Sequence, residues 1–232
     1  MQTPPISHVL ARNRFTLVTM LLLAYLFVLA PAHGESGFWA EFVNLTFTAI
    51  VVTSVYACVS RGRVGVLLAA SAVPAIVLLW ATRLSNSDQI VLANHAVTGA
   101  VLLLIAMLIL ADVGSSPRIT HDSVAGALAA YLIIGLVFSH AYAAVYALDP
   151  TSFSLPDYVG DSATPGSATV LRVFTYFSFV TLSTLGYGDA TPTAPSMQAA
   201  AALEAILGQI YLAVMVARLV ALQVSHGSRA RS

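Results

Sequence analysis

One cysteine, no lysine and charged side chains at only 9% of 232 positions set the first limits on this chain. The lone Cys58 excludes an intrachain disulfide, nothing around it has metal-ligand spacing, and it reads as a small apolar filler in a helix. Ten arginines balance ten acids without a basic run, so no nucleic-acid partner is expected. With 58% hydrophobic residues, so little charge could not solvate the surface of a soluble globule. The chain therefore belongs in a bilayer. No catalytic constellation is present either: the histidines are scattered and no two acids share a helix face. Neither an enzyme nor an organic cofactor is expected.

A spanning helix needs roughly 20 mostly apolar residues. Runs of that kind are Phe15–Ala32, Phe38–Val59, Val64–Ala81, Ile90–Asp112, Ala125–Leu148 and Met197–Val224, which predict six spans. A shorter apolar run, Ala168–Leu182, lies between the fifth and sixth; it is too short to cross and fits a re-entrant helix, with Ser167 as its N-cap. The first run, with Arg12, Arg14 and Ala30-Pro31-Ala32, also has the pattern of a signal peptide, but is expected to stay as a span. Gly114-Ser115-Ser116-Pro117-Arg118 is the clearest boundary, dividing residues 1–117 from 118–232.

Orientation follows from arginine in the short loops. Arg12, Arg14, Arg61, Arg63, Arg118, Arg229 and Arg231 fall on one side if the spans alternate. Arg83 and Arg172 fall on the other, with Glu35, Glu41, Asp88, Asp149, Asp157, Asp161 and Asp189. Both termini are expected to be cytoplasmic. The acids around the outer mouth would concentrate cations there. Few residues follow the last apolar run, so no soluble regulatory domain is expected in the chain.

Thr181-Leu182-Ser183-Thr184-Leu185-Gly186-Tyr187-Gly188-Asp189 is a polar, double-glycine loop between apolar segments. Glycine at 186 and 188 lets the backbone alternate between hands, so that successive carbonyls can face one way and act as cation ligands. In a membrane such backbone is tolerated only inside protein or along a water-filled path. Thr184-Leu185-Gly186-Tyr187-Gly188-Asp189 resembles the signature of potassium channels, Thr-Val-Gly-Tyr-Gly-Asp, and the likeness extends over about Ala125–Val224.

The resemblance implies an all-α integral membrane fold: four N-terminal transmembrane helices, then an outer helix, a re-entrant pore helix over about 168–182, a filter loop at 184–188 and an inner helix over about 197–224. It implies K⁺ bound by the carbonyls of Thr184, Leu185, Gly186 and Tyr187, with the threonine hydroxyl, and Gly188 completing the filter. Tyr187 is expected to pack on Tyr176 and Phe177, with Thr181, Ser183 and Asp189 also supporting the filter. Val180 stands where some members carry a glutamate bonded to the residue matching Asp189, leaving Asp189 to Tyr176 or water. The carbonyl end of the pore helix would favour a cation in the cavity below. A single loop cannot encircle an ion, so a homotetramer is implied, in the cell membrane and of the bacterial type.

On the inner helix, Gly208 matches a hinge position, although close packing would equally explain a mid-helix glycine. Gln209, Leu212, Val216 and Val220 are expected to line the conduction path. Glu204, in apolar surroundings, is a gating candidate; Thr181, Tyr211 and His140 are its expected partners. Arg218 is expected to reach for the headgroups.

Arginine is missing where six spans would lead one to look for it. The fourth run contains none, and voltage sensing needs three or four per subunit, so no voltage gating by an arginine ladder is expected. His95 in that run reads as a neutral hydrogen-bonding residue, and Asn44, Thr46, Thr48, Thr53 and Ser54 as polar links between helices. The function expected is passive, potassium-selective conduction. A non-selective cation channel, or an accessory or transporter subunit with a filter-like loop, are the alternatives.

Overall fold

The computed structural model describes residues 13–29, 38–58, 63–82, 84, 87–116, 120–162 and 164–229. Arg12, Glu35, Arg61, Arg83, Arg118, Arg231 and the segment 30–32 lie outside them. The fold is helical: α1 (Arg14–Ala24, running into a π-helical turn at Tyr25–Leu29), α2 (Phe38–Cys58), α3 (Arg63–Ala81), α4 (Asp88–Ser115), α5 (His121–Leu148), α6 (Ala168–Leu182) and α7 (Pro195–Arg229). Among the described residues four are long and apolar enough to cross a bilayer: α2 over Glu41–Cys58, α4, α5, and α7 over Pro195–Arg218. This is the make-up of an all-α membrane protein. The runs expected as first and third spans are helical where described, over Arg14–Leu29 and Arg63–Ala81, with Arg14–Phe27 and Gly65–Ala81 as their apolar stretches among the described residues. Pro74 lies inside α3 and withholds one hydrogen-bond donor from it.

The N-terminal helices are moored to α5 by polar contacts at one end of the bundle. Thr120 caps α5 through its hydroxyl and the Ser123 amide. One turn in, the Asp122 carboxylate accepts from the backbone amides of Phe15 and Thr16 at 3.0 and 2.9 Å, capping α1 from a different helix. Arg14 pairs with Asp112 of α4 at 2.6 Å and donates to the Ala57 carbonyl of α2 at 2.8 Å. Four helices thus meet around α1.

Between these contacts and the chain's middle runs one continuous apolar core. Ile105 and Ile109 of α4 share it with Ala130 and Ile133 of α5, so the joint expected at 117/118 is not a break in packing. Small residues allow the approach: a Cβ on Gly126 would come within 3.0 Å of the Phe15 ring, and one on Gly135 within 2.8 Å of Phe179. The hydroxyls of Thr46, Thr48 and Thr53 return to carbonyls of their own helix, three or four residues back, and Ser54 Oγ has no partner among the described residues. These three threonines therefore do not knit helices together as expected; in an apolar setting the nearest acceptor is the helix's own preceding turn.

A second core lies beneath the loop. Phe153 sits edge-on to Phe174 at 4.8 Å between ring centres and to Tyr142 at 5.4 Å. A two-residue antiparallel ribbon, β1 (Phe153–Ser154) with β2 (Thr191–Pro192), ties the turret before α6 to the segment that leaves the loop. The Ser152 carbonyl adds bonds from the Thr193 and Ala194 amides.

Candidate functional site: the Gly-Tyr-Gly loop and its supports

Ser167 caps α6 by accepting from the Val170 amide at 3.2 Å, as its position suggested. The helix ends at Leu182, where the Phe179 carbonyl accepts from both the amide and the hydroxyl of Ser183, at 3.0 and 2.6 Å. The chain then turns back on the helix end: Thr184 N donates to Thr181 O at 2.9 Å and Leu185 N to the carbonyl of the buried Val180 at 2.8 Å.

From here the backbone takes a repeating form. Thr184, Gly186 and Gly188 have φ of +61°, +60° and +79°, whereas Leu185 and Tyr187 are not in the left-handed region. Left-handed backbone at every second residue is the pattern that turns successive carbonyls toward a common side. Two of these positions are glycine and bear it without cost; Thr184, β-branched, does not. Residues 183–189 are all exposed, with Leu185 at 60% and Tyr187 at 68%, so the single chain does not enclose the loop.

Behind the loop, the Tyr187 ring lies parallel to Tyr176 at 6.4 Å between centres, with an interplanar angle of 2°. The Tyr176 hydroxyl pairs with Asp189, and Asp189 Oδ1 also accepts from the Ala190 amide at 3.1 Å. Phe177 does not join this arrangement. It is buried against Tyr142, 5.2 Å between ring centres, because one residue's advance along α6 turns the side chain about 100° away. A cleft of about 200 Å³ separates the loop from α6, lined by Tyr176, Val180, Thr181, Gly186, Gly188 and Asp189.

The last helix meets the rest of its own chain along a narrow stripe. Met197, Ala201, Glu204, Gly208, Tyr211, Met215 and Arg218 recur at alternating steps of four and three and, with Ala200 and Ala205 beside them, are the covered positions of α7 among the described residues. Its apolar window is only 11% buried, against 56% for α5. Gln209, Leu212, Val216 and Val220 are exposed at helical spacing, and Gln209 Nε2 reaches Thr184 Oγ1 at 3.3 Å. Gly208 touches the end of α6, where any Cβ would strike the Leu182 carbonyl. Close approach thus accounts for this glycine.

Glu204 is fully buried, but its expected partners are not the ones it has. Tyr142 Oη donates to Oε2 at 2.7 Å, and Ser178 Oγ lies 2.5 Å from Oε1. Tyr211 instead donates to the Ala127 carbonyl, and His140 Nδ1 lies 3.1 Å from His95 Nδ1. His95 is therefore not solitary. Arg218 bonds the Ser116 carbonyl at 3.2 Å, fastening α7 to the α4–α5 connection and not merely reaching outward. The residues missed in the sequence are Tyr142, Ser178 and Gly135; the signal was that a buried carboxyl demands polar company on neighbouring helices.

Among the described residues no cluster of three or more His, Cys, Asp or Glu side chains could hold a metal ion. Residues 127–224 match the family model described as ion channel. The match covers less than half of the chain and supports an ion channel family for that part of it. It takes in α6, the loop and all of α7 up to its last turn. No curated protein and no solved structure matches the chain.

Proposed function

We propose that the protein is a potassium channel: four copies surround one path, and K⁺ passes down its gradient through Thr184, Leu185, Gly186, Tyr187 and Gly188. The observation that carries the reading is the left-handed φ at Thr184, Gly186 and Gly188 with Leu185 and Tyr187 between them. A row of carbonyls built on that repeat can replace the hydration shell of a bare cation. The exposed loop supports the oligomeric part, since a ring of ligands needs further chains. So does the apolar surface of α7, where Leu203, Ile206, Ile210 and Val214 face neither core of their own chain.

In this reading each chain offers carbonyl oxygens and the Thr184 hydroxyl to the ion. Tyr187 on Tyr176, with Asp189 bonded behind, sets the width of the ring. The carbonyl end of α6 directs its partial negative charge at the cavity beneath. Six spans with both termini cytoplasmic remain part of the proposal, as does the absence of an arginine ladder as voltage sensor. Glu204 and Gly208, which join α7 to α6, are the gating elements proposed. Gln209, Leu212, Val216 and Val220 would line the path, the last three as an apolar constriction able to dewet.

The test is ion flux from liposomes holding the purified full-length protein, K⁺ against Na⁺, with Tyr187→Asp in parallel. Flux of K⁺ well above Na⁺, lost or levelled in the variant, is expected. Equal passage of both ions by the wild type would point to a non-selective channel, and no flux to an accessory subunit.

A further inference from the structure

The carboxyl of Glu204 sits in a contact set whose protons can be counted. Tyr142 Oη stands 2.7 Å from Oε2 and Ser178 Oγ 2.5 Å from Oε1. Ser178 Oγ also stands 2.7 Å from the carbonyl oxygen of Gly135, on α5. A carbonyl oxygen only accepts, so the single Ser178 hydroxyl proton is committed to Gly135. The Tyr142 proton is committed to Oε2. What is left is the shortest contact of the three, between Oε1 and Ser178 Oγ, two oxygens with no hydroxyl proton to share. An oxygen pair at that distance without a proton is repulsive.

We propose that Glu204 is a proton-binding site, holding a neutral acid whose Oε1–H donates to Ser178 Oγ and so completes a chain from α7 through α6 to α5. The bound proton is the ligand that makes the three contacts compatible. Without it, Ser178 either turns to the carboxylate and gives up Gly135, or keeps Gly135 and leaves two oxygens facing each other. Either way one of the three links among these helices is lost. Gly208 lies one turn further along α7, against the end of α6, so the chain and the loop share the same seam.

Groups face Glu204 from both helices packed against it. On α5 they are Tyr142, in contact, and Tyr131, which bonds the Leu182 carbonyl at 3.4 Å. On α6 the contact is Ser178, which does not titrate. His140 of α5 is engaged with His95 of α4.

Two readouts test the site without any ion flux. In infrared difference spectra of the full-length protein in liposomes, wild type minus Glu204→Gln, the carbonyl band of a protonated carboxylic acid is expected at neutral pH and is expected to bleach on alkalinisation. No such band at any pH overturns the proposal. In thermal unfolding, the folded protein holds a proton that the unfolded chain releases, so melting temperature is expected to fall as pH rises. The Glu204→Gln amide can donate to Ser178 and accept from Tyr142, so its profile is expected to be flatter. Parallel profiles for the two proteins overturn the proposal.

The effect on conduction rests on the channel reading above. Wild-type K⁺ flux is expected to drop roughly 5-fold or more where the band bleaches, with Glu204→Gln holding its flux. If the band and the melting profiles behave as expected but neither protein passes ions at any pH, the channel reading fails and the proton site stands. Wild-type flux unchanged through the bleaching overturns the proton's hold on conduction.

Discussion

Gly208 of α7 rests on the carbonyl of Leu182, the last residue of α6, so closely that a Cβ would collide with backbone. Backbone at a helix end cannot step aside as a flexible side chain can. Gly208→Ala should therefore destabilise, with overpacking costing about 1–3 kcal/mol against about 1 kcal/mol returned by alanine's helix propensity. A lower melting temperature in detergent is the expected result, with Gly208→Leu lower still. If Gly208 served only as a bending point, alanine would leave stability unchanged or raised.

The His95 and His140 rings give a second test. Their Nδ1 atoms are 3.1 Å apart in a buried contact between α4 and α5, so one donates and the other accepts. Replacing either with leucine strands the other. Each single variant should lose about 1–2 kcal/mol, the range for buried hydrogen bonds between membrane helices. The double variant should lose clearly less than the sum, as a double-mutant cycle of unfolding free energies would reveal. Strict additivity would show that the rings are neighbours without being partners.

These two seams mark what was and was not legible in the sequence. Local chemistry was: α6 spans Ala168–Leu182 with Ser167 capping it, since a capping serine and an apolar run bounded by a polar loop act over a few residues. The glycines at 186 and 188 announced a backbone of alternating hand, although the same conformation at Thr184 carries no mark in a threonine. Partnerships across helices were not legible. Glu204 lies 62 positions from Tyr142 and 26 from Ser178, and apolar periodicity says which residues are covered without saying by what. Adjacent aromatics on one helix face different neighbours for a related reason: the Tyr176 ring stacks on Tyr187, whereas that of Phe177 packs on Tyr142.

Asp122 offers a test of the mooring at the other end. Its carboxylate caps α1 by accepting from two backbone amides and from the Thr16 hydroxyl, at 2.9–3.0 Å. Those amides have no partner within their own helix, being in its first turn. Asp122→Ala should cost about 1–2 kcal/mol, and Asp122→Asn, which keeps one acceptor oxygen, less. Hydrogen exchange should quicken selectively at Phe15 and Thr16. Uniform quickening across all helices would instead mean that the substitution disturbs α5 itself.

Thr184 separates stability from ion binding. It is the one non-glycine residue with positive φ among those described, at +61°, and a β-branched side chain resists that region. Such a conformation costs on the order of 1–3 kcal/mol and persists only where its surroundings hold it, here by its amide bond to Thr181 and the contact of its hydroxyl with Gln209. Thr184→Gly should relieve the strain, so that without K⁺ the variant melts no lower than the wild type. The same change removes the hydroxyl proposed as an ion ligand. A ligand that binds only the folded state raises its melting temperature with concentration. Added K⁺ should therefore raise the melting temperature of the wild type and of Thr184→Ser, but raise that of Thr184→Gly less. If K⁺ stabilises Thr184→Gly as fully as the wild type, the threonine hydroxyl is no ligand, and its φ reflects the turn out of α6 alone.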